Sequence, residues 1–441
     1  MRLSWHDLGT PRADRAHGKI VEVTGWPTAA LGTVRSDYFL LMAEANCCAG
    51  CVPANRLAVI EVFAEREIDL TAGALRLSGT LHVEADDNDQ WRYQLRGVRT
   101  VGGIRRRHLL AASPLICLPV PSLAQPVVPT IDMHSHAGKL LFVGSNPDVT
   151  PVAQPMRQGG VSTLCLAIVA DSPTTQITSG RIRPFRSANP GELYEYSKRA
   201  FSRLQRVVRE QGLGMVRTAA ELRAATPERP SVIVSAEGAD FLEGKIERLD
   251  EAYDKFGLRH LQLTHYRVNE LGDIQTEPAE KGGLTPFGAE VVRRCNQRGI
   301  VVDVAHGTFE LVKMAAQVTA KPLVLSHTSL TEKPQAWTRL ITPDHARAIA
   351  GTGGVIGIWP IKQIFGTFKS WAQGMARMAD VVGVDGVGVG TDLLGLPGGS
   401  TIEDYNEMPQ LAAALRERFN AEETAKILGG NYRRVFEATL A

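Results

Sequence analysis

The 441-residue chain is short of cysteine, with six, and of net charge, since 49 Lys and Arg stand against 47 Asp and Glu for a formal +2. Six thiols in a chain this long cannot staple a disulfide scaffold. The near-balance of charge offers nothing that would steer the whole molecule toward nucleic acid or anionic lipid. Long hydrophobic runs are missing too: no stretch of about 18 apolar residues occurs, so no transmembrane segment is expected. From Met1 to Leu31 the chain mixes charge, glycine and proline without an apolar centre, which argues against a secretory signal at that end. What the chain does have is core material, with 44% hydrophobic and 22% charged residues. Disorder is therefore disfavoured, and the length suggests two or three domains at about 100–200 residues each.

The first part reads as all-β. Lys19 to Val23, Tyr38 to Ala43, Leu57 to Phe63, Leu75 to Val83 and Trp91 to Val98 are short β-branched or alternating runs parted by Gly, Pro, Asn and Asp. They suggest a small five-stranded barrel with an accessory or interaction role, and the stretch around Cys51-Val52-Pro53 resembles small OB-like bacterial domains. Cys47, Cys48 and Cys51 form one C-C-x-x-C cluster without a second pair, and read as tolerated thiols rather than as a metal or redox site. Cys117, Cys165 and Cys295 sit in apolar surroundings and are expected to pack as small hydrophobes.

Between Arg105 and Gln125 an arginine cluster, a short apolar stretch and a small-residue end follow one another. The segment has the form of a twin-arginine export signal inside the chain, and equally that of a linker kept extended by its prolines. The linker reading is adopted, with residues 1–103 as the accessory domain, 104–128 as the connector and 129–441 as the main domain. The protein is then cytoplasmic as the chain stands, and periplasmic if the segment is used for export.

After it the rhythm changes to short apolar runs alternating with helical patterns. Eight runs can be placed: Thr130 to Met133, Ser162 to Val169, Val232 to Ser235, His260 to Leu263, Ile300 to Val304, Pro322 to Leu325, Val355 to Ile358 and Gly386 to Val389. Eight βα units over about 310 residues fit an α/β fold of the (β/α)8 TIM-barrel kind. Thr285-Pro286 and Thr342-Pro343 each supply a cap followed by proline at a helix start, and Gly299 a stop. Leu428, Tyr432 and Phe436 recur every four residues near the end and read as core.

The ends of these runs carry the chemistry. His134-Ser135-His136 closes the first, Glu237 the third, His265 the fourth, His306 the fifth, His327 the sixth and Asp392 the eighth. A barrel gathers such ends on one rim, where active sites of this fold lie. In His-x-His on a strand both imidazoles share one face and can reach one cation at about 2.0–2.1 Å. Glu237 can bridge two cations, with His306 and His327 completing the second site. Two cations about 3.5–4 Å apart would share a water and lower its pKa, with Asp392 placed to move the proton. His6, His17, His82, His108, His260 and His345 lack this placement and are read as surface or structural. Asp132 is open between a partner of His134 and a strand cap.

At these residues the chain resembles the membrane dipeptidase (renal dipeptidase) family of zinc metallopeptidases, within the amidohydrolase superfamily. The likeness runs from about Ile131 to Phe436. It is carried by Leu263-Thr264-His265, Gly283-Leu284-Thr285-Pro286-Phe287-Gly288, Val302-Asp303-Val304-Ala305-His306, Leu325-Ser326-His327-Thr328-Ser329 and Val389-Gly390-Thr391-Asp392. Ser235-Ala236-Glu237-Gly238 and Asn431-Tyr432-Arg433-Arg434-Val435-Phe436 also fit. The resemblance implies a hydrolase with two Zn2+ per chain that cleaves the amide bond of dipeptides by attack of a metal-bridged hydroxide. Glu237 would be the bridging carboxylate, His134 and His136 the ligands of the more buried metal, His306 and His327 those of the other. His265 would stabilise the substrate carbonyl as it becomes tetrahedral, and Arg339 would clamp the C-terminal carboxylate. Asp392 would hold the amino group and shuttle the proton.

Two features depart from that family. Its first-strand motif is usually His-x-Asp, whereas His136 stands here, and losing a carboxylate favours a softer cation such as zinc over manganese. Pro343 adds one residue after Arg339, and the loop from Asp171 to Pro190 is long and basic. The rival readings are another amidohydrolase reaction, on lactones or N-acyl amino acids, and a non-catalytic ligand-binding barrel. The expected partner is a small dipeptide-like substrate and not a nucleic acid, and a homodimer is the default assembly.

Overall fold

A computed structural model describes residues 1, 3–8, 10–28, 35–43, 59–70, 74–83, 93–100, 130–138, 150–178, 181–331 and 338–441. Cys47, Cys48, Cys51, Cys117 and the Arg105–Gln125 segment lie outside them. The chain forms two compact units, Met1–Val120 and Pro121–Ala441.

In the first unit the five alternating runs become five strands: β1 (Ile20–Thr28), β2 (Arg35–Met42), β3 (Val59–Asp69), β4 (Leu75–Val83) and β5 (Tyr93–Thr100). They close into a barrel in the order β1-β2-β3-β5-β4. Every neighbouring pair is antiparallel except β3 with β5, which is parallel, as expected of an OB-like Greek-key barrel. The period of two puts Val21 and Val23, Phe39 and Leu41, Ile60 and Val62, and Leu75 and Leu77 into one core. Leu3, Leu8, Ala13 and Ala16, from the segment before β1, pack into the same core.

The second unit holds all eight expected strands. They are β6 (Thr130–Ser135), β7 (Val161–Val169), then, after a hairpin of β8 (Thr175–Thr178) and β9 (Arg181–Pro184) and a two-residue β10 (Gly214–Met215), β11 (Ser231–Glu237), β12 (Leu258–Gln262), β13 (Val301–Asp303), β14 (Val324–Thr328), β15 (Val355–Ile358) and β16 (Val387–Val389). The eight long-range partners are parallel throughout, from β6 to β7 to β11 and on to β16, which pairs back on β6. This is a closed eight-stranded parallel barrel, and β10 pairs in parallel alongside the start of β11. On β11, Val232, Val234 and Ala236 join the cluster shared with the surrounding helices. Alternation therefore turns Ile233, Ser235 and Glu237 to the other face. One strand begins later than its sequence suggests: pairing on β14 starts at Val324, two residues past Pro322, which has no N–H to donate. His327 consequently stands on the strand itself.

The helix signals act as read. Thr285 Oγ1 accepts from Gly288 N–H, Pro286 fills the first turn, and the helix Pro286–Arg298 stops at Gly299 in the left-handed region at φ 72°. Thr342 caps Pro343–Ala350 in the same way. The C-terminal segment is helical from Ala421 to Leu440 with a π-turn over Lys426–Gly430, and Leu428, Tyr432 and Phe436 are all buried. Tyr432, Val435 and Phe436 share a cluster with Cys165, Ile233, Val301, Val324 and Val355, so this helix packs against strands around the barrel. Asn431 Nδ2 donates to the carbonyls of Val384 and Val387, both at 2.8 Å, and ties the helix beside β16.

Two glycines are needed where β14, β15 and β16 crowd together. A Cβ on Gly357 would lie 1.8 Å from the Ser326 carbonyl oxygen, and one on Gly390 1.7 Å from the same atom. Gly357→Ala and Gly390→Ala should each abolish the folded barrel, whereas Gly366→Ala, which would meet nothing within 4 Å, should leave thermal unfolding within a few degrees of wild type. Circular dichroism melts of the three variants check this.

Candidate metal centre

The rim residues named from sequence converge on one carboxylate. Glu237, the last residue of β11, receives the Nε2 atoms of five histidines. Oε1 lies 3.4 Å from His134, 3.3 Å from His306 and 3.5 Å from His327, and Oε2 lies 3.1 Å from His136 and 3.3 Å from His265. Asp392 Oδ1 stands 3.4 Å from His136 Nε2 and 3.9 Å from His134 Nε2. All seven residues are buried.

Several imidazoles are held through their far nitrogen. His136 Nδ1 lies 3.2 Å from the Ala167 carbonyl, His327 Nδ1 2.9 Å from Ser326 Oγ and His265 Nδ1 2.7 Å from Asp171 Oδ1. An Nδ1–H spent this way leaves Nε2 as the free donor atom of the ring. Asp171, itself fully buried, also accepts the Tyr266 N–H at 3.0 Å, so one carboxylate fixes both the ring and the backbone of the His265 loop.

Backbone strain is concentrated here. Four non-glycine residues among those described have positive φ, and two of them are His306 (68°) and Asp392 (48°). Such conformations cost about 1–3 kcal/mol and persist only where the surroundings impose them. Two buried aspartates do so. Asp132 Oδ1 accepts from the N–H groups of Thr391 and His134, at 2.9 and 3.3 Å, and Oδ2 from the hydroxyls of Thr391 and Tyr405. It thereby locks the end of β16, next to Asp392, onto β6. Asp303 Oδ1 accepts from Ala305 and Ser326 N–H at 2.9 and 3.0 Å, locking the turn at His306 to β14, while its Oδ2 meets His260 Nε2 at 3.1 Å. Burial would raise the Asp303 pKa, but His260 and the side chain of Ser326 hold it below the ordinary carboxylate value. His260 Nδ1 in turn lies 2.8 Å from the Tyr432 hydroxyl.

The donor set suits divalent cations. Burial drives the His306 and His327 pKa values well below the usual imidazole value, which favours the uncharged rings that can ligate a cation. Glu237 is held well below the usual carboxylate range: burial opposes this, and the charge of His265 and the contacts to His134 and His136 outweigh it. His134 and His136 bring their Nε2 atoms to 3.2 Å, as do His306 and His327. At most one nitrogen of each pair can carry a hydrogen toward the other. Asp392 Oδ1, beside His136 Nε2, has no hydrogen-bond partner among the described residues. Nε2 lone pairs crowded about a buried carboxylate are what a cation satisfies and what burial otherwise penalises. Three groups have donor atoms within 4.8 Å of one another: His134, Glu237 and His327; His134, His136 and Asp392; Glu237, His265 and His306. These cut across the sequence-based division into two histidine pairs and draw Asp392 into the cluster.

A cleft of about 460 Å³ opens onto these residues and is also lined by Arg339, Tyr266, Trp359, Leu340, Ile361 and Arg181. Arg339 is buried; Nη1 donates to Gln275 Oε1 at 3.2 Å and Nη2 to the His327 carbonyl at 3.3 Å. Both acceptors are neutral, and among the described residues no carboxylate forms an ion pair with it. Seven of the eight residues named from sequence thus line one cleft, and the eighth, His134, reaches Glu237 through its Nε2 without lining it. Sequence reasoning missed Asp171, which lies 94 positions from His265, and the locking role of Asp303. It left Asp132 undecided, and the bonds to Thr391 and Tyr405 settle that.

Residues 145–441 match the family model of the membrane dipeptidases, peptidase family M19. Among curated proteins the chain is similar to dipeptidase aclJ of Aspergillus oryzae, 27% identical over 221 residues that make up 48% of this chain and 52% of the relative. It is similar also to dipeptidase tcpJ of Claviceps purpurea, 27% identical over 213 residues, 46% of this chain and 49% of the relative. The chain spans about half the length of the curated relatives it matches. Among solved structures, dipeptidase AC, a metallopeptidase, superposes with a TM-score of 0.60 at 21% identity, covering 71% of this chain and 99% of that one. A metallopeptidase from Rhodobacter sphaeroides, liganded with a phosphinate mimic of the dipeptide L-Ala-D-Ala, gives 0.59 at 21% identity with the same coverage. These two show the barrel fold.

If Asp132 sets the geometry of the rim, Asp132→Asn should weaken binding of a divalent cation about ten- to a hundred-fold. Calorimetric titration of metal-stripped protein with zinc reads this, and an unchanged affinity would show that the Asp132 bonds serve only the fold.

Proposed function

This chain belongs to the membrane dipeptidase family, and we propose that it is a binuclear-zinc hydrolase that cleaves the amide bond of dipeptides bearing a free C-terminal carboxylate. The observation that carries the reading is the convergence of five imidazoles on Glu237 beside the cleft lined by Arg339, whose guanidinium forms no ion pair among the described residues.

His134, His136, Glu237, His306 and His327 would hold the metal ions, with Glu237 shared. Zinc bound there would supply Lewis acidity and a water of lowered pKa. The remaining work falls to side chains. Arg339 offers a planar fork of donors to the substrate carboxylate in a site where, among the described residues, no protein acid forms an ion pair with it. His265, its ring fixed by Asp171, faces the centre with Nε2 and would stabilise charge building on the substrate carbonyl oxygen. Asp392, held at φ 48° beside His136, would hold the amino group and carry the proton to the leaving nitrogen. His136 in place of the family's usual aspartate makes the donor set more neutral and softer, which favours zinc.

Among the described residues no helix is long and apolar enough to cross a membrane. Residues 1–103 form the accessory domain in this account and 129–441 the hydrolase.

The test is a hydrolysis screen of L,L- and L,D-dipeptides against lactones and N-acyl amino acids, with and without chelator. Dipeptides should be cleaved, and chelation should stop cleavage until zinc is restored; turnover of lactones or N-acyl amino acids alone would favour the other amidohydrolase reading. Arg339→Ala should raise KM about ten- to a hundred-fold for free-carboxylate substrates and far less for amidated ones. Equal effects on both would remove Arg339 from carboxylate recognition.

A further inference from the structure

The loop after β7 is unusually basic, and the structure shows how its charge is spent. Its chain folds into the β8–β9 hairpin, paired from Thr175 with Pro184 to Thr178 with Arg181. Three arginines follow in sequence. Arg183 forms a two-pronged pair with Glu277, Nε to Oε1 at 3.0 Å and Nη2 to Oε2 at 3.1 Å. Arg186 forms a two-pronged pair with Glu192. Arg181 alone among them has no carboxylate partner among the described residues. Its Nη2 donates to the Thr276 carbonyl at 2.7 Å, and its side chain, half-buried, lines the cleft.

The hairpin is therefore anchored from both ends of one segment, by Arg181 on Thr276 and Arg183 on Glu277. One neutral acceptor occupies one of the five N–H donors of Arg181 and leaves its charge uncompensated. Arg339 is in the same condition in the same cleft. Among the described residues the acids lining the cleft are Glu237 and Asp392, both within the candidate metal centre. A simple dipeptide brings one carboxylate for two unpaired guanidinium groups.

Resting on the dipeptidase reading above, we infer that Arg181 is a specificity-determining residue that gives the cleft a second anion subsite, for dipeptides carrying an acidic side chain. Arg339 takes the main-chain carboxylate and Arg181 the side-chain carboxylate. The isosteric pair glutamate and glutamine isolates this interaction, since the two differ in charge and hardly in shape.

The experiment measures kcat/KM of the zinc-loaded full chain for Ala-Glu, Ala-Gln, Glu-Ala and Gln-Ala. In one of the two orders the glutamate substrate should be preferred about ten-fold, the preference should shrink with added salt, and it should collapse toward unity in Arg181→Gln. Arg181→Lys should restore part of it, because the charge returns without the fork. A wild type that cleaves all four without preferring glutamate, or a preference that survives in Arg181→Gln, overturns the inference and leaves the dipeptidase reading standing. A wild type that cleaves none overturns the dipeptidase reading instead. Calorimetry with free glutamate and glutamine then still reads Arg181: tighter binding of glutamate, lost in Arg181→Gln, supports the subsite, and equal binding contradicts it.

Discussion

The second unit is organised around the carboxylate of Glu237. Burying a carboxylate is expensive unless opposite charge or hydrogen bonding compensates it, and imidazoles delivered by several different strands and loops make with it a donor set for cations that would supply that charge. Each must arrive within about 3.5 Å of one of two oxygen atoms. Few folds can meet that requirement with separate segments. A closed parallel barrel does so because every strand ends on the same rim.

Convergence alone would not set the angles. His306 and Asp392 leave their strands through left-handed turns that ordinary side chains avoid. Those turns are held by Asp303 and Asp132, each a buried acid that reaches across to a neighbouring strand. From Asp303 the chain of contacts runs through His260 to Tyr432 on the C-terminal helix. The end of the chain is thereby connected to the metal rim by hydrogen bonds as well as by packing. Asp171 plays the corresponding part for His265. The rim is thus a constrained layer supported by acids that themselves do not line the cleft.

Much of this was legible in the sequence because it follows from period and position. Short apolar runs gave the eight strands, and ionisable residues at their ends gave the rim. Thr-Pro pairs marked helix starts because a capping hydroxyl and a fixed φ act locally. The rest depends on contacts across the barrel, which leave no periodic trace. Asp171 and His265 look unrelated along the chain, and Asp303 resembles any polar strand residue. Pro322 shifted the sixth strand because what starts pairing is a donor N–H, not apolarity. The basic loop was visible as composition, but only its pairing with Glu277 and Glu192 separates Arg181 from its neighbours. Of the β-domain the alternation was readable and the closing parallel pair of β3 with β5 was not, since that contact joins distant runs.

Cation binding at the rim is tested most directly by the metal content of the full chain purified under zinc-replete conditions, compared with Glu237→Gln. Close to two zinc ions per wild-type chain are expected, with loss of most of that zinc in the variant, whose side chain keeps its shape but not its charge. A wild-type chain without zinc, or a variant that retains the full complement, would contradict it.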